Sequence, residues 1–180
     1  MDAALASDAV YDVFLHNLST LPETIETQHI RGKSRTVLPM LRPDCFDLVF
    51  VDANHAYSAV VEDLRNGAIL VKEGGILCGD DLNLQLHQCD EAFARAHREV
   101  DYARDPQVSR GFHPGVTVAV AEVIGRVCEW GGFWAIRKAG ERWESISLGA
   151  MPEVYPAHLP SSLVEDARAH RADIRARGEL

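Results

Sequence analysis

The chain has 180 residues, enough for one domain with a buried core, and 18 Lys and Arg against 27 Asp and Glu residues give a formal net charge of -9. An acidic chain without a lysine- or arginine-rich run is not expected to bind nucleic acid. No apolar stretch is long enough to cross a bilayer, and the four cysteines lack C-x-x-C spacing. We therefore expect reduced, mostly buried thiols in a cytoplasmic protein with no membrane partner.

The N-terminal third predicts a helix, a short strand and a brief second helix. Apolar residues recur at helical spacing in SDAVYDVFLHNL, residues 7–18. The segment TIETQHIRG alternates weakly and predicts a strand that ends at Gly32, and SRTVLPML predicts a helix that begins at Ser34. The segment FDLVFV, residues 46–51, is apolar on both faces except for Asp47, which indicates a parallel strand covered by helices.

The rest of the chain alternates between helices and strands. Residues 57–71 predict a helix that ends before two glycines, and GILCG, residues 75–79, predicts the next buried strand. Helices are predicted around residues 89–99 and 116–124, followed by a hairpin formed by GGFWAIRK and RWESISL. This order predicts a three-layer α/β domain over residues 1–148, with a parallel sheet closed by a C-terminal antiparallel hairpin, and a tail over 149–180 with a charged helix.

Polar side chains follow the two central strands where each strand ends. Asp52 follows the first strand, and Asp80 and Asp81 follow the second, so the three carboxylates should meet at one edge of the sheet. Such an oxygen-rich set suits Mg²⁺, although adjacent acids after a strand also serve as N-caps or solvated loop residues. His55, at the entrance of the next helix, has a side chain suited to accepting a proton near neutral pH, but a structural histidine is the common alternative.

Three segments together resemble a known family. FDLVFVDANHAYSAVVEDL, LVKEGGILCGDDL and HPGVTVAVAEV are similar in order and spacing to the second half of a class I S-adenosylmethionine-dependent methyltransferase of the subgroup called methyltransferase domain 24, over roughly residues 11–138. The positions that match the motifs of this subgroup are Asp52, His55, Gly79, Asp80, Asp81, Pro114, Gly115 and Val116.

The resemblance implies a Rossmann-like sheet and methyl transfer from S-adenosylmethionine to an oxygen of a small hydroxylated molecule, with possible assistance from Mg²⁺. It implies catalytic roles for His55 and Asn54 and a metal site at Asp52, Asp80 and Asp81. The cofactor contacts that it implies are Gly32, Lys33, Ser34 and Asp52.

The sequence departs from that family in the elements that bind the cofactor. It contains no G-x-G turn, and the pattern of elements lacks the first two strands of the family's sheet. We therefore expect this chain alone to bind S-adenosylmethionine weakly or not at all. We also expect a homo-oligomer or a partner chain to cover the edge of the strand at residues 46–51. The alternative function is a catalytically silent methyltransferase-like domain that serves as a binding or assembly partner.

Overall fold

A computed structural model of the chain describes residues 8–147, residue 155 and residues 159–176. The chain divides into two compact units, Met1–Lys33 and Ser34–Leu180. The predicted boundary between residues 148 and 149 stays a prediction. Among the described residues, no helix has both the length and the apolar character needed to cross a membrane.

Among its described residues, 8–33, the first unit contains one helix, α1 (Ala9–Ser19). The strand predicted at residues 24–32 is wrong, because this segment forms turns and irregular backbone. No other strand is described in this unit, so the segment has no ladder of hydrogen bonds to join. Instead, Arg31 pairs with Asp8 at 2.5 Å, and its guanidinium lies 4.4 Å from the centre of the Tyr11 ring. These contacts bring the end of the segment back to the helix.

The second unit carries the remaining elements. They are α2 (Ser34–Val37), a 3₁₀ turn (Leu38–Met40), β1 (Phe46–Val51), α3 (Tyr57–Leu70), β2 (Val71–Gly79), a 3₁₀ turn (Leu86–Gln88), α4 (Glu91–Ala96), β3 (Ala103–Arg104), β4 (Gly111–Phe112), α5 (Pro114–Val123), β5 (Glu129–Trp130), β6 (Phe133–Ala139), β7 (Arg142–Ser145) and α6 (Ser161–Ala176). The predicted hairpin and the charged C-terminal helix are confirmed.

The main sheet has the strand order β1-β2-β6-β5, and β7 pairs with β6. β1 and β2 are parallel, and Val51 lies opposite Gly79 where both strands end. β2 and β6 are antiparallel, with Ile76 opposite Arg137. The prediction of two adjacent parallel strands with the terminal hairpin beside the second is therefore confirmed. A separate two-stranded sheet is formed by β3 and β4.

Two helices of the second unit, α3 and α5, pack on one face of the main sheet. Leu64 and Val120 from these helices share a buried core with Leu77 and Ile136 from the sheet. On β1 the alternate side chains Phe46, Leu48 and Phe50 are 36%, 53% and 48% exposed. β1 is an edge of the sheet in the part of the chain that the structure describes, and no described strand precedes it. The predicted three-layer fold needs a further layer over the face of β1 that carries Phe46, Leu48 and Phe50, and this layer stays a prediction.

The four cysteines are free, but only Cys78 and Cys89 are buried. The expectation that they are mostly buried is therefore wrong for Cys45 and Cys128, which are exposed. Burial and the negative charge of Asp105 raise the pKa of Cys89 to about 11. The Cys89 thiol is thus kept in its unreactive protonated form.

Candidate active site at the carboxyl ends of β1 and β2

The predicted polar residues surround one small cavity at the end of β1 and β2. The cavity has a volume of ≈ 20 Å³, which is room for about one water molecule. The predicted residues that line it are Asp52, Asn54, His55, Asp80 and Asp81. The apolar floor comes from the core and includes Leu64 and Trp134. Because the cavity itself holds no more than a water-sized group, a substrate has to lie on its open side.

His55 lies between two carboxylates. Its Nδ1 is 2.6 Å from Oδ1 of Asp101, and its Nε2 is 2.9 Å from Oδ2 of Asp81. Burial by itself lowers the pKa of His55, but the hydrogen bond to Asp101 and the negative charges of Asp81 and Asp101 outweigh it, so the pKa is raised. Both ring nitrogens are therefore fixed by an acceptor, and the ring is oriented for proton chemistry or for metal coordination.

A second histidine, His113, joins the site from the loop before α5. Its ring centre is 4.1 Å from that of His55, and its Nδ1 is 2.6 Å from the backbone carbonyl oxygen of Asp101. Its Nε2 is 3.8 Å from Oδ1 of Asp81. Neither His113 nor Asp101 was predicted as a site residue. The sequence offers one indirect signal, because His113 directly precedes the Pro-Gly-Val motif of the family.

Gly115 allows the start of α5 to approach the His55 segment. A Cβ atom on Gly115 would lie 2.1 Å from the carbonyl oxygen of His55 and 2.5 Å from the backbone nitrogen of Tyr57. Only a residue without a side chain fits between these backbone atoms. The glycine of the motif therefore places His113 against His55.

The two acids after β2 have different environments. Asp81 has a φ of 64°, in the left-handed region, and its carboxylate contacts both histidines. Asp80 accepts a hydrogen bond from the backbone N–H of Asp81 at 2.8 Å. Two groups of side chains have ligand atoms within 4.8 Å of one another, namely Asp52, His55 and Asp81, and His55, Asp101 and His113. Asp80 belongs to neither of these groups among the described residues, and the metal site predicted at Asp52, Asp80 and Asp81 stays a prediction.

Asn54 has a local structural contact. Its Oδ1 accepts a hydrogen bond from the backbone N–H of Ala56 at 2.8 Å, at the start of α3. The amide side chain thereby satisfies a backbone donor at the helix entrance. Its side-chain NH₂ group is the part that remains for a substrate contact, and the catalytic role stays a prediction.

The predicted cofactor residues are divided between the two units. Gly32 and Lys33 lie in the first unit, and Ser34 and Asp52 lie in the second, where Ser34 begins α2. Asp52 is exposed at the end of β1. The roles of these four residues in binding S-adenosylmethionine stay a prediction.

Comparison with known protein families gives a match to the N-terminal part of the chain. Residues 5–82 match the family model of a methyltransferase domain. The resemblance predicted from the sequence motifs is thus confirmed, and the match supports methyltransferase activity in general. This family suggests a Rossmann-like fold and dependence on S-adenosylmethionine. The match contains Asp52, His55 and Asp81 and ends before Asp101 and His113. No curated protein and no solved structure matches the chain.

Proposed function

We propose that this protein transfers a methyl group from S-adenosylmethionine to an oxygen atom of a small hydroxylated molecule. The observation that carries the proposal is the fixed position of His55 between Asp81 and Asp101 at the open edge of the sheet. Methyl transfer to oxygen requires the acceptor hydroxyl to lose its proton, and this edge gathers the groups that can receive a proton or stabilise the resulting charge.

The proposed roles follow from the contacts of each side chain. Nε2 of neutral His55, in place of its contact with Asp81, receives the proton of the acceptor hydroxyl. The negative charges of Asp81 and Asp101 stabilise the imidazolium that forms. Asp101 holds the ring through Nδ1 and is a positioning residue. The exposed side chains of Asp52 and Asn54 lie on the open side of the cavity, where they can contact the acceptor.

The affinity of this chain for the cofactor is expected to be low. The sequence contains no G-x-G turn of the kind that holds this cofactor in the family that it resembles. We therefore propose that S-adenosylmethionine binds weakly to the isolated chain, so that activity requires a high cofactor concentration or a second chain.

Radiolabelled methyl transfer tests this function. The full chain is incubated with millimolar S-adenosylmethionine and a panel of phenols, catechols and hydroxylated small molecules. We expect transfer to at least one acceptor, and a rate about 10²–10⁴-fold lower for His55→Ala, because a positioned base contributes about that factor. His16→Ala, at an exposed position of α1, is the matched control and should keep the wild-type rate.

The opposite result would favour the silent alternative. If no acceptor in the panel is methylated at any cofactor concentration, the proposed activity is wrong for this chain. A thermal unfolding scan separates the two parts of the proposal. A saturable shift at micromolar S-adenosylmethionine would contradict weak binding while leaving the roles at the edge of the sheet intact.

A second candidate function, assembly, is favoured by the apolar side chains of β1. Phe46, Leu48 and Phe50 lie on one face of a strand that is an edge of the described sheet. Edge strands with apolar surface associate readily, so we propose that a second copy of the chain covers this strand.

Analytical ultracentrifugation tests the assembly. We expect the wild-type chain to sediment as a dimer and Phe50→Glu to sediment as a monomer, because a buried carboxylate would oppose the contact. Val108→Glu places the same charge on an exposed apolar residue in the loop between β3 and β4 and should leave the dimer intact. A monomeric wild-type chain would contradict the proposal.

A further inference from the structure

The two histidines of the site present the same ring nitrogen to one carboxylate. Nε2 of His55 is 2.9 Å from one oxygen of Asp81, and Nε2 of His113 is 3.8 Å from the other. Two ligand atoms bound to one tetrahedral Zn²⁺ at about 2.0–2.1 Å are about 3.3 Å apart. The observed distances lie on either side of this spacing and run to different oxygens of Asp81. The three residues are not one of the groups whose ligand atoms already lie within 4.8 Å of one another, so side chains have to move before all three can bind one ion.

The other ring nitrogen of each histidine is bound to the same residue, Asp101. Nδ1 of His113 is 2.6 Å from its backbone carbonyl oxygen, and Nδ1 of His55 is 2.6 Å from its carboxylate. A carbonyl oxygen can only accept, so Nδ1 of His113 carries the hydrogen. Carboxylates face both ring nitrogens of His55, and the shorter contact, from Nδ1 to Asp101, favours the hydrogen on Nδ1 in the neutral ring. Histidines that bind metals commonly donate their second N–H to a carbonyl or carboxylate in this way.

These tautomers leave two lone pairs facing a carboxylate. In the neutral rings, both Nε2 atoms are acceptors, and so is Asp81, whose recorded ion-pair partners among the described residues are these two histidines. Acceptors that face one another repel unless a proton or a cation lies between them. A divalent cation satisfies all three ligands at once.

An independent observation lies on the wall of the adjoining cavity. Trp134 lines the cavity with His55 and Asp81, is 1% exposed, and its Nε1–H has no hydrogen-bond partner among the described residues. An unpaired buried donor is costly and calls for an acceptor. The cavity has room for about one water-sized group, so an oxygen ligand in it can serve both the ion and the indole.

We propose that His55 and His113, through Nε2, and Asp81, through its carboxylate, bind a divalent transition metal ion such as Zn²⁺ or Co²⁺. Asp52 is the fourth residue of the site. One of its carboxylate oxygens lies within 4.8 Å of the ligand atoms of His55 and Asp81. Imidazole nitrogens select ions of this class over Mg²⁺. This set differs from the three carboxylates predicted from the sequence, because it includes His113 and excludes Asp80. It concerns the site of the proposed methyl transfer and replaces the role of His55 as the base, because Nε2 cannot both bind the ion and accept the proton. Metal binding itself does not depend on whether the chain transfers methyl groups.

Calorimetric titration of the full chain, after treatment with a chelator, tests the ligand set. We expect saturable binding of Zn²⁺ that is at least about 10-fold tighter than that of Mg²⁺. His113→Ala should weaken Zn²⁺ binding about 100-fold or more, whereas Asp80→Asn and the control His16→Ala should leave it unchanged. If Asp80→Asn abolishes binding and His113→Ala does not, the metal is held by the carboxylates and the proposal is wrong.

A measurement on the wild-type chain does not depend on the folding of any variant. With ¹⁵N-labelled histidine, addition of Zn²⁺ should shift the Nε2 resonances of two histidines and leave both Nδ1 atoms protonated. The absence of a shift at any Nε2 would overturn the proposal and would leave a structural hydrogen-bond network. Neither measurement uses S-adenosylmethionine, so failure of the metal site and failure of methyl transfer are distinguished.

Discussion

Replacing Gly115 by Ala is expected to separate the two histidine segments. The added Cβ would lie 2.1 Å from the carbonyl oxygen of His55, 2.5 Å from that of Arg98 and 2.5 Å from the nitrogen of Tyr57. All three atoms belong to the backbone, so none can rotate away. Since ordinary contacts begin near 3.4 Å, the start of α5 has to move by more than 1 Å.

The size of the effect follows from three contributions. Ala in place of a helical Gly stabilises a helix by about 1 kcal/mol. Overpacking costs about 1–3 kcal/mol, and the Tyr57 N–H loses its 2.9 Å hydrogen bond to Arg98 if the segments separate, which costs about 1–3 kcal/mol more. The unfavourable contributions exceed the gain, and we expect Gly115→Ala to lower the free energy of unfolding by about 3 kcal/mol.

Urea denaturation followed by tryptophan fluorescence measures this change, because Trp134 is 1% exposed in the core of the second unit. Gly140→Ala is the matched control, since its Cβ would meet nothing within 4 Å but its φ is +63°. It should cost about 1–2 kcal/mol from backbone strain alone. Equal stability of Gly115→Ala and the wild-type chain would refute the close approach of α5 to the His55 segment.

Substitutions at three further positions test the core of the second unit by the same denaturation assay. Burial raises the pKa of the fully buried Asp105, but its carboxylate accepts three backbone N–H bonds that outweigh burial and lower this pKa. The free energy of unfolding of the wild-type chain should therefore fall as the pH falls through this pKa. Asp105→Asn should cost about 2–3 kcal/mol at pH 7 and less in acid, and a difference from the wild-type chain that does not change with pH would contradict this explanation. Leu64→Ala should cost about 2–5 kcal/mol, because the side chain is 0% exposed, and a loss below about 1 kcal/mol would contradict its burial. In metal-free protein, Trp134→Phe should lower the free energy of unfolding by less than about 1 kcal/mol, because it removes an unpaired N–H. Trp134→Ala should lower it by about 3–5 kcal/mol, because it removes a buried ring. Equal losses of stability would show that the indole N–H is paired.

The predicted strands show what a local pattern can reveal. The apolar runs in β1 and in the second half of β2 correctly indicate strands. They do not predict burial in both cases, because β2 ends in buried residues whereas Phe46, Leu48 and Phe50 of β1 are exposed. The ends of the two strands then place Asp52 and Asp81 at one edge by topology alone. The segment at residues 24–32 has only weak alternation, and whether it becomes a strand depends on a neighbour that the local sequence does not specify.

The pair of histidines could not be predicted from local patterns. His113 meets His55 because α5 packs across the start of α3, and Asp101 contacts both rings from a segment with no regular element. These contacts join residues 12 and 46 positions apart in the chain. The motif around Gly115 predicts a close backbone approach, but it does not say which residue is approached.

The two roles considered for His55 exclude each other at one atom. In the neutral ring with its hydrogen on Nδ1, Nε2 has a single lone pair, so it can bind a metal ion or accept the proton of the acceptor hydroxyl, but not both. If His55 is the base, a chelator should leave the methyl-transfer rate unchanged, and His113→Ala should have little effect on it. If His55 is a ligand, the metal lowers the pKa of the bound hydroxyl, and the chelator, His55→Ala and His113→Ala should all reduce the rate to the same residual level. The response of His113→Ala therefore decides how this edge of the sheet removes the proton.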